Sequence, residues 1–160
     1  MPKDTATENE DPLALERQVC FALAIANRAV LSVYRPILAP MGLTHPQYLV
    51  MLALWGSTPM SVKAIGEALQ LDSATLSPLL KRLETSGLIV RGRSADDERR
   101  IDVDLTDAGR DLRTRALDIP PAVVARLGAS LDELEELHRV LTNINAKAVA
   151  AGALTPGGDR

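Results

Sequence analysis

Residues 71–109, LDSATLSPLLKRLETSGLIVRGRSADDERRIDVDLTDAG, decide the fold. The segment begins with a cap residue, Asp72 or Ser73, whose side-chain oxygen can accept a hydrogen bond from the first free amides of a helix. Gly87 is placed to end that helix, because glycine readily adopts the left-handed conformation found just beyond a helix terminus. The first half of the segment therefore predicts one helix.

Two strand signals follow, at 88–90 and, in strict alternation, at 101–105, with a charged loop between them. Before the segment, THPQYLVMLALW predicts a helix capped by Thr44, and MSVKAIGEAL predicts a short helix capped by Ser61. Short helix, turn, second helix and charged hairpin is the order of a winged helix-turn-helix, in which the second helix enters the DNA major groove. We therefore predict a mainly α fold with a small β-hairpin wing, whose DNA-binding region spans residues 44–106.

Helical patterns flank this region on both sides. The first spans Pro12 to Val33, is apolar nearly all round at 19–26, and meets helix breakers at Pro36 and at Pro40-Met-Gly42. The second has apolar residues at spacings of three and four over 127–148. A helix that is apolar on every face must be covered on every face, and in so small a chain a second copy is the expected cover. The predicted organisation of this single chain is dimerisation helices at 12–43 and 107–151, with disordered tails at 1–11 and 152–160.

Composition narrows the class of protein. Hydrophobic residues make up 46% of the 160 residues and aromatic residues only 2%, which favours helices packed on helices. The single cysteine excludes an intrachain disulfide framework and indicates a reducing compartment. No secretory signal is recognisable, and Arg28 and Arg35 interrupt the longest apolar run. We expect a soluble cytoplasmic protein that does not bind a membrane, a metal or a cofactor; the net charge of −3 argues against indiscriminate polyanion binding.

Hydroxyl groups on the early turns of the second helix can reach base edges or phosphates, and cations one turn later can contact the DNA backbone. Long cations at the predicted hairpin tip fit phosphates or a narrow minor groove. The candidate DNA-binding residues are Ser73, Thr75, Ser77, Lys81 and Arg82 on the helix, and Arg91, Arg93, Arg99 and Arg100 at the tip.

LTHPQYLVMLALW, the segment 71–109 and the Asp-Glu-Arg of the hairpin together resemble the MarR family of bacterial regulators, over residues 12–150. The resemblance implies a homodimer with interleaved terminal helices that binds a pseudo-palindromic operator in double-stranded DNA. It also implies that Arg99 reaches into the minor groove while Asp97 braces it. Within the family, CFALAIANRAVLSVYRPILAPMGLTHPQYLVML is most similar to the organic-hydroperoxide-sensing regulators called OhrR.

The closer resemblance implies that Cys20 is a reactive thiol and that Tyr34 of the other subunit is its hydroxyl partner. This chain has Ala24 and His45 where that subgroup has tyrosines; a protonated imidazole from the partner could stabilise the thiolate, or His45 could be a helix-cap residue with no redox role. Hydrogen-bond donors or a cation must stabilise a thiolate among apolar groups, and an apolar surround favours organic hydroperoxides. Without a second cysteine, oxidised Cys20 is expected to be capped by a small-molecule thiol, to cyclise with a backbone nitrogen or to overoxidise.

Two alternatives stay open. The same fold could use Cys20 as a structural residue and release DNA when a small aromatic or phenolic ligand binds between the dimer and DNA-binding regions. A cysteine peroxidase would need an activating polar shell and a resolving cysteine, and ERQVCF offers neither. We therefore predict a transcriptional repressor rather than an enzyme.

Overall fold

The computed structural model describes residues 11–153, which form seven α-helices and a three-stranded antiparallel sheet. This arrangement confirms the predicted mainly helical fold with a small hairpin wing. The predicted tails lie outside the described residues, except for Asp11, Gly152 and Ala153. The elements are α1 (Val19–Leu38), α2 (His45–Gly56), β1 (Met60–Ser61), α3 (Val62–Leu69), α4 (Ser73–Thr85), β2 (Ile89–Arg93), β3 (Ile101–Leu105), α5 (Asp107–Ala116), α6 (Ile119–Leu127) and α7 (Leu131–Ala150).

The buried core lies inside the DNA-binding region and the two helices that follow it, with Leu38 and Leu43 added from the preceding segment. Helices α2, α3 and α4 direct their apolar faces at one another, and the first residue of β2 closes the cluster. Side chains that are completely or almost completely excluded from solvent include Met51, Leu54, Ile65, Leu80, Leu83 and Ile89. This packing orients α4 with one face inward and the other free.

The predicted helix starts are confirmed by their capping hydrogen bonds. Thr44 and Gln47 form a reciprocal capping box at the start of α2, and the Ser61 side chain accepts a hydrogen bond from the amide of Ala64. Of the two caps considered for α4, Asp72 is the one used. Local sequence therefore fixes where these helices begin.

The first helix differs from the prediction at both ends. It begins at Val19, because the Gln18 side chain donates to the carbonyls of Pro12 and Ala14 and holds the preceding residues in a separate turn. It continues past Pro36 to Leu38, so the proposed break at Pro36 is wrong. A proline in the last turn removes only one backbone hydrogen bond, which the helix tolerates.

The sheet of the wing has three strands, one more than the sequence predicted. Strands β2 and β3 pair from Ile89 opposite Leu105 to Arg93 opposite Ile101, so β2 extends three residues beyond the predicted signal. The two-residue strand β1, which the sequence did not indicate, pairs with the other edge of β3. A strand this short has no detectable alternation.

The last amphipathic pattern also splits differently. Leu127 ends α6 instead of beginning the long helix, because Gly128 adopts a left-handed conformation with φ of +64°. The long helix α7 begins at Leu131 behind a capping box formed by Ser130 and Glu133. The two prolines after Ile119 separate α5 from α6, where they occupy the first turn.

Helices α1 and α7 leave most of their apolar side chains in solvent. Only Leu38 of α1 is buried and no residue of α7 is buried, while Val19 is 66% and Leu131 is 62% exposed. By length and composition the stretch Val19–Met41 could also cross a membrane, although Arg28 and Arg35 had argued against a span. The same composition suits a helix covered by another protein chain.

Candidate DNA-binding surface and thiol site

Helix α4 presents one polar face to solvent. Leu76, Leu80 and Leu83 are buried at spacings of four and three, which places the intervening residues on the opposite side. All five candidate residues of the helix are exposed: Ser73, Thr75, Ser77, Lys81 and Arg82. The exposed face of the helix therefore carries hydroxyl groups in its early turns and cations one turn later, which suits contacts with base edges and phosphates.

A close approach between α3 and α4 sets the angle of this face. A Cβ atom added at Gly66 would lie 2.9 Å from the carbonyl oxygen of Leu71, so only glycine fits there without movement. The amide of Leu71 donates to the carbonyl of Gly66 at 2.9 Å, and Gln70 turns the chain with φ of +54°. The turn between the two helices is thus tightly constrained.

The loop of the wing is anchored at its base by Ser94 and Arg100. Ser94 is only 5% exposed, and its hydroxyl accepts a hydrogen bond from the Arg100 guanidinium at 2.9 Å. The same guanidinium pairs with Asp102 at 2.9 Å, and this hydrogen bond lowers the pKa of the Asp102 carboxyl. Arg100 therefore lies at the base of the loop and holds it, instead of lying at the tip as predicted.

Arg99 projects from the loop itself. Its backbone amide donates to the Asp97 carboxylate at 3.0 Å, and its side chain is exposed. The backbone of Arg100 also donates to the carbonyl of Asp97 at 2.9 Å, which closes the turn. Asp97 thus braces the turn that presents Arg99, through the backbone and not through the guanidinium.

Two other predicted tip residues belong to strand β2. Arg91 forms an ion pair with Glu84 of α4 at 2.7 Å, and this contact lowers the pKa of the Glu84 carboxyl. Arg93 is exposed at the last position of the strand. The placement of Arg91 and Arg93 at the tip is therefore wrong, since Arg91 connects the wing to α4. The sequence offered no local signal for this pair, whose members lie on different elements.

A second set of contacts, which the sequence did not reveal, joins α2 to the base of the wing. The indole N–H of Trp55 donates to the carbonyl of Gly109 at 2.9 Å. Thr58 donates to Asp104 at 2.7 Å, and Asp104 also pairs with Arg110 at 2.9 Å. These residues hold α2, β3 and α5 together.

Cys20 lies at the second position of α1 and is exposed. Tyr34 is fourteen residues further along the same helix, which corresponds to about 21 Å at 1.5 Å per residue. Within one chain the structure therefore separates the thiol from its predicted partner. Cys20 can meet the tyrosine of another copy only.

Tyr34 and His45 lie together in one chain, with ring centroids 4.7 Å apart in an edge-on arrangement. Burial raises the pKa of Tyr34 and lowers the pKa of His45. Burial thus disfavours the protonated imidazole within one chain, and the role of His45 as a thiolate partner stays a prediction. Within residues 11–153, no three histidine, cysteine, aspartate or glutamate side chains are grouped to hold a metal.

The exposed face of α4, the three-stranded sheet and the anchored wing loop define a winged-helix DNA-binding protein. A family model described as "Transcriptional regulator SarA/Rot" matches residues 32–115. The regulator TtmR of Methylorubrum extorquens is 44% identical over 146 residues, covering 89% of this chain and 75% of the relative. The organic hydroperoxide resistance transcriptional regulator of Bacillus subtilis is 42% identical over 131 residues, covering 82% and 89%.

The fold is also similar to that of regulators whose structures have been solved on DNA. Reduced AbfR bound to DNA superimposes with a TM-score of 0.75 at 32% identity, covering 89% of this chain and 97% of that chain. AbfR, which is from Staphylococcus epidermidis, has also been solved overoxidised on DNA, with a TM-score of 0.65 at 35% identity over 81% and 94% of the two chains. The chain belongs to the MarR/SarA-type family of winged-helix transcriptional regulators, and it is a DNA-binding transcriptional regulator.

Proposed function

We propose that this regulator is a cytoplasmic repressor that senses organic hydroperoxides through oxidation of Cys20. The observation that carries the proposal is the separation of Cys20 from the Tyr34–His45 pair by about 21 Å of one helix. An exposed thiol at one end and the half-buried Tyr34–His45 pair at the other form a complete site when two copies lie antiparallel. The name of the Bacillus relative, an organic hydroperoxide regulator, supports the same chemistry.

The proposed assembly is a homodimer built from α1 and from α5 to α7, within the predicted dimerisation segments 12–43 and 107–151. The exposed apolar side chains of α1 and α7 support this, because monomeric soluble proteins rarely leave such long apolar faces in water. Covering α1 by a second copy also accounts for its apolar composition without a membrane.

In the proposed complex α4 lies in the major groove and the wing lies over the neighbouring minor groove. Arg99 enters the minor groove, while Arg93 contacts the backbone and Arg91 holds the wing against α4. Two copies would read the half-sites of a pseudo-palindromic operator about one helical turn apart. On α4, Ser73, Thr75 and Ser77 contact base edges or phosphates, and Lys81 and Arg82 contact phosphates.

The proposed redox chemistry takes two steps. The Cys20 thiolate attacks the outer oxygen of an organic hydroperoxide, the O–O bond breaks, and cysteine becomes a sulfenic acid. The alkoxide takes a proton from water and leaves as the alcohol. A small cellular thiol then attacks the sulfenic sulfur, which forms a mixed disulfide and releases water. Since an overoxidised relative was solved on DNA, we expect the bulkier mixed disulfide, more than a higher oxide, to release this regulator.

One cleft favours a second candidate function. About 280 Å³ of space between α2 and the α5–α6 junction combines aromatic and apolar walls with one cation. An aromatic carboxylate would suit such a cleft, and Cys20 would then be structural. The cleft is lined by Tyr48, Leu52, Trp55, Gly56, Arg113, Ala116, Leu117 and Pro120.

The two functions are separated by measuring free thiol, mass and operator binding on the same samples. With one equivalent of an organic hydroperoxide and excess small thiol, the wild type should lose its thiol, gain the mass of the mixed disulfide and release operator DNA. Cys20→Ser, which keeps a side chain of similar size, should bind DNA and ignore the oxidant. If Cys20→Ser also releases DNA on hydroperoxide treatment, Cys20 is not the sensor; release by an aromatic acid without thiol loss supports the second function.

A further inference from the structure

A row of aromatic rings begins at the Tyr34–His45 pair and runs along one face of α2. The ring centroids of Tyr34 and Tyr48 are 6.1 Å apart, and those of Tyr48 and Trp55 are 6.5 Å apart. Both distances lie within the range at which aromatic rings contact each other. The row therefore leads from the proposed thiol site toward the C-terminal end of α2.

Trp55 is the last ring of this row and the only one joined by a hydrogen bond to the base of the wing. Its indole and the Tyr48 ring contact each other edge to face, and its N–H donates to the carbonyl of Gly109 on α5. The side chain is half-buried, so water competes little for this bond. Trp55 thus contacts the row of aromatic rings on one side and α5 on the other.

Gly109 packs against the start of the wing without room for a side chain. A Cβ atom at this position would lie 2.1 Å from the carbonyl oxygen of Leu88, the residue immediately before β2. The same carbonyl accepts a hydrogen bond from the amide of Thr106 at 3.1 Å, and the Thr106 hydroxyl donates to the carbonyl of Gly87 at 2.6 Å. A displacement of Gly109 toward Leu88 must therefore displace the start of the wing.

We propose that Trp55 is the positioning residue that couples oxidation of Cys20 to the wing. This inference rests on the proposed function, because it takes the Tyr34–His45 pair as the place where the oxidised thiol acts. Modification of Cys20 shifts that pair, Tyr48 follows, and the indole transmits the shift through its hydrogen bond to Gly109. Trp55 contacts neither DNA nor the thiol; its role is in the ratio of operator affinities before and after oxidation.

The test compares Trp55→Phe with Thr58→Val. Trp55→Phe keeps an aromatic ring and loses the hydrogen bond to Gly109, while Thr58→Val loses one hydrogen bond to Asp104 outside the aromatic row. In each variant three quantities are measured: the rate of Cys20 oxidation by an alkyl hydroperoxide, operator affinity of the reduced form, and operator affinity of the mixed disulfide.

For the wild type we expect oxidation to weaken operator binding by roughly 5- to 150-fold, the usual range of coupling between two sites. Trp55→Phe should reduce that ratio about fivefold, the value of one hydrogen bond, while the oxidation rate and reduced-form affinity stay unchanged. Thr58→Val should keep the wild-type ratio. Equal losses in both variants, or an unchanged ratio in Trp55→Phe, would overturn the role of Trp55 while leaving the sensor intact. A wild type whose affinity does not change on oxidation would overturn the proposed function itself.

A measurement without substitution at Trp55 guards against a variant that fails to fold. Trp55 is the only tryptophan of the chain, so its fluorescence reports this position alone. Emission should change when the mixed disulfide forms in the wild type and stay constant in Cys20→Ser treated in the same way. Constant emission during wild-type DNA release would rule out a movement of the indole and refute the inference.

Discussion

The DNA-binding region buries its apolar side chains within one chain, whereas helices α1 and α7 leave theirs exposed. Every buried hydrophobic residue of the core lies between Leu38 and Val123, and α7 contributes none. A single copy therefore buries the core that supports α4 and the wing, and α5 and α6 contribute side chains to it. In the proposed dimer a second copy completes the part that carries the thiol, so the geometry of that part depends on how two chains fit together.

The largest expected effect separates assembly from folding. Leu137→Asp places a charge on the exposed apolar face of α7, where the wild-type side chain is 50% exposed. Each dimer contains two copies, and each lost leucine costs about 2 kcal/mol of burial, so the dimer should weaken roughly a thousandfold. Sedimentation should show a wild-type dimer at micromolar concentration and a folded monomeric variant.

Leu52→Asp is the matched control, because Leu52 is similarly exposed at 44% but lies on α2. It should remain dimeric. A stable wild-type monomer, or a Leu137→Asp protein that sediments as a dimer, would contradict the assignment of α7 to the interface. Loss of helical circular dichroism in Leu137→Asp would show that α7 supports the fold of the single chain.

The next effect tests how closely α5 packs against the start of the wing. Gly109→Ala introduces a methyl group 2.1 Å from a backbone carbonyl that cannot move without shifting the wing, and overpacking of this kind costs typically 1–3 kcal/mol. Gly56→Ala is the control, because nothing lies within 4 Å of a Cβ atom there. Urea unfolding should show a loss near 3 kcal/mol for the first variant and little change for the second. Equal free energies of unfolding for the two variants would mean that α5 and the wing are not closely packed at Gly109.

Local patterns predicted the elements of the DNA-binding region well, since caps such as Thr44 and Asp72 act within one turn of the chain. The same reasoning placed a helix end wrongly at Pro36, because position within the last turn decides whether a proline is tolerated. The exposed face of α4 followed from its leucine spacing. Helix and strand periodicity thus predict which face is free.

Contacts between distant elements were not predictable from local patterns. The hydrogen bond from Trp55 to Gly109 joins residues 54 positions apart, and the Glu84–Arg91 pair joins a helix to a strand. Both depend on the relative placement of packed elements, which periodicity does not encode. For the thiol site, the contact of Tyr34 with His45 in the same chain depends on how α1 packs against α2. The distance between Cys20 and Tyr34 follows from helix length alone.

A smaller effect distinguishes the two arginines of the wing. Arg99→Ala should weaken operator binding by roughly 1–3 kcal/mol without changing the free energy of unfolding, because it removes a groove contact. Arg91→Ala removes an exposed ion pair with Glu84 and should weaken binding less, because exposed ion pairs contribute little. Fluorescence anisotropy on a labelled operator measures both. Unchanged affinity of a folded Arg99→Ala protein would overturn the position of the wing on DNA.

The smallest effect concerns His45, which lies where the two regions meet. Burial lowers its pKa below the ordinary value of about 6.5, so the unfolded chain takes up the proton first as the pH falls. The free energy of unfolding should therefore be highest above pH 7, fall as the pH drops through 6.5, and stop falling below the pKa of the folded state. Urea unfolding at pH 7.5 and 6.0, at one fixed protein concentration, measures the difference.

His45→Gln should flatten this part of the pH profile, because glutamine does not titrate. His138→Gln, which removes the exposed histidine of α7, should retain the wild-type difference. A wild type and a His45→Gln protein with parallel profiles would mean that His45 is solvated in the assembled protein. An imidazole in water cannot be part of an apolar thiol site. That outcome would therefore leave Tyr34 of α1 as the only partner proposed for Cys20.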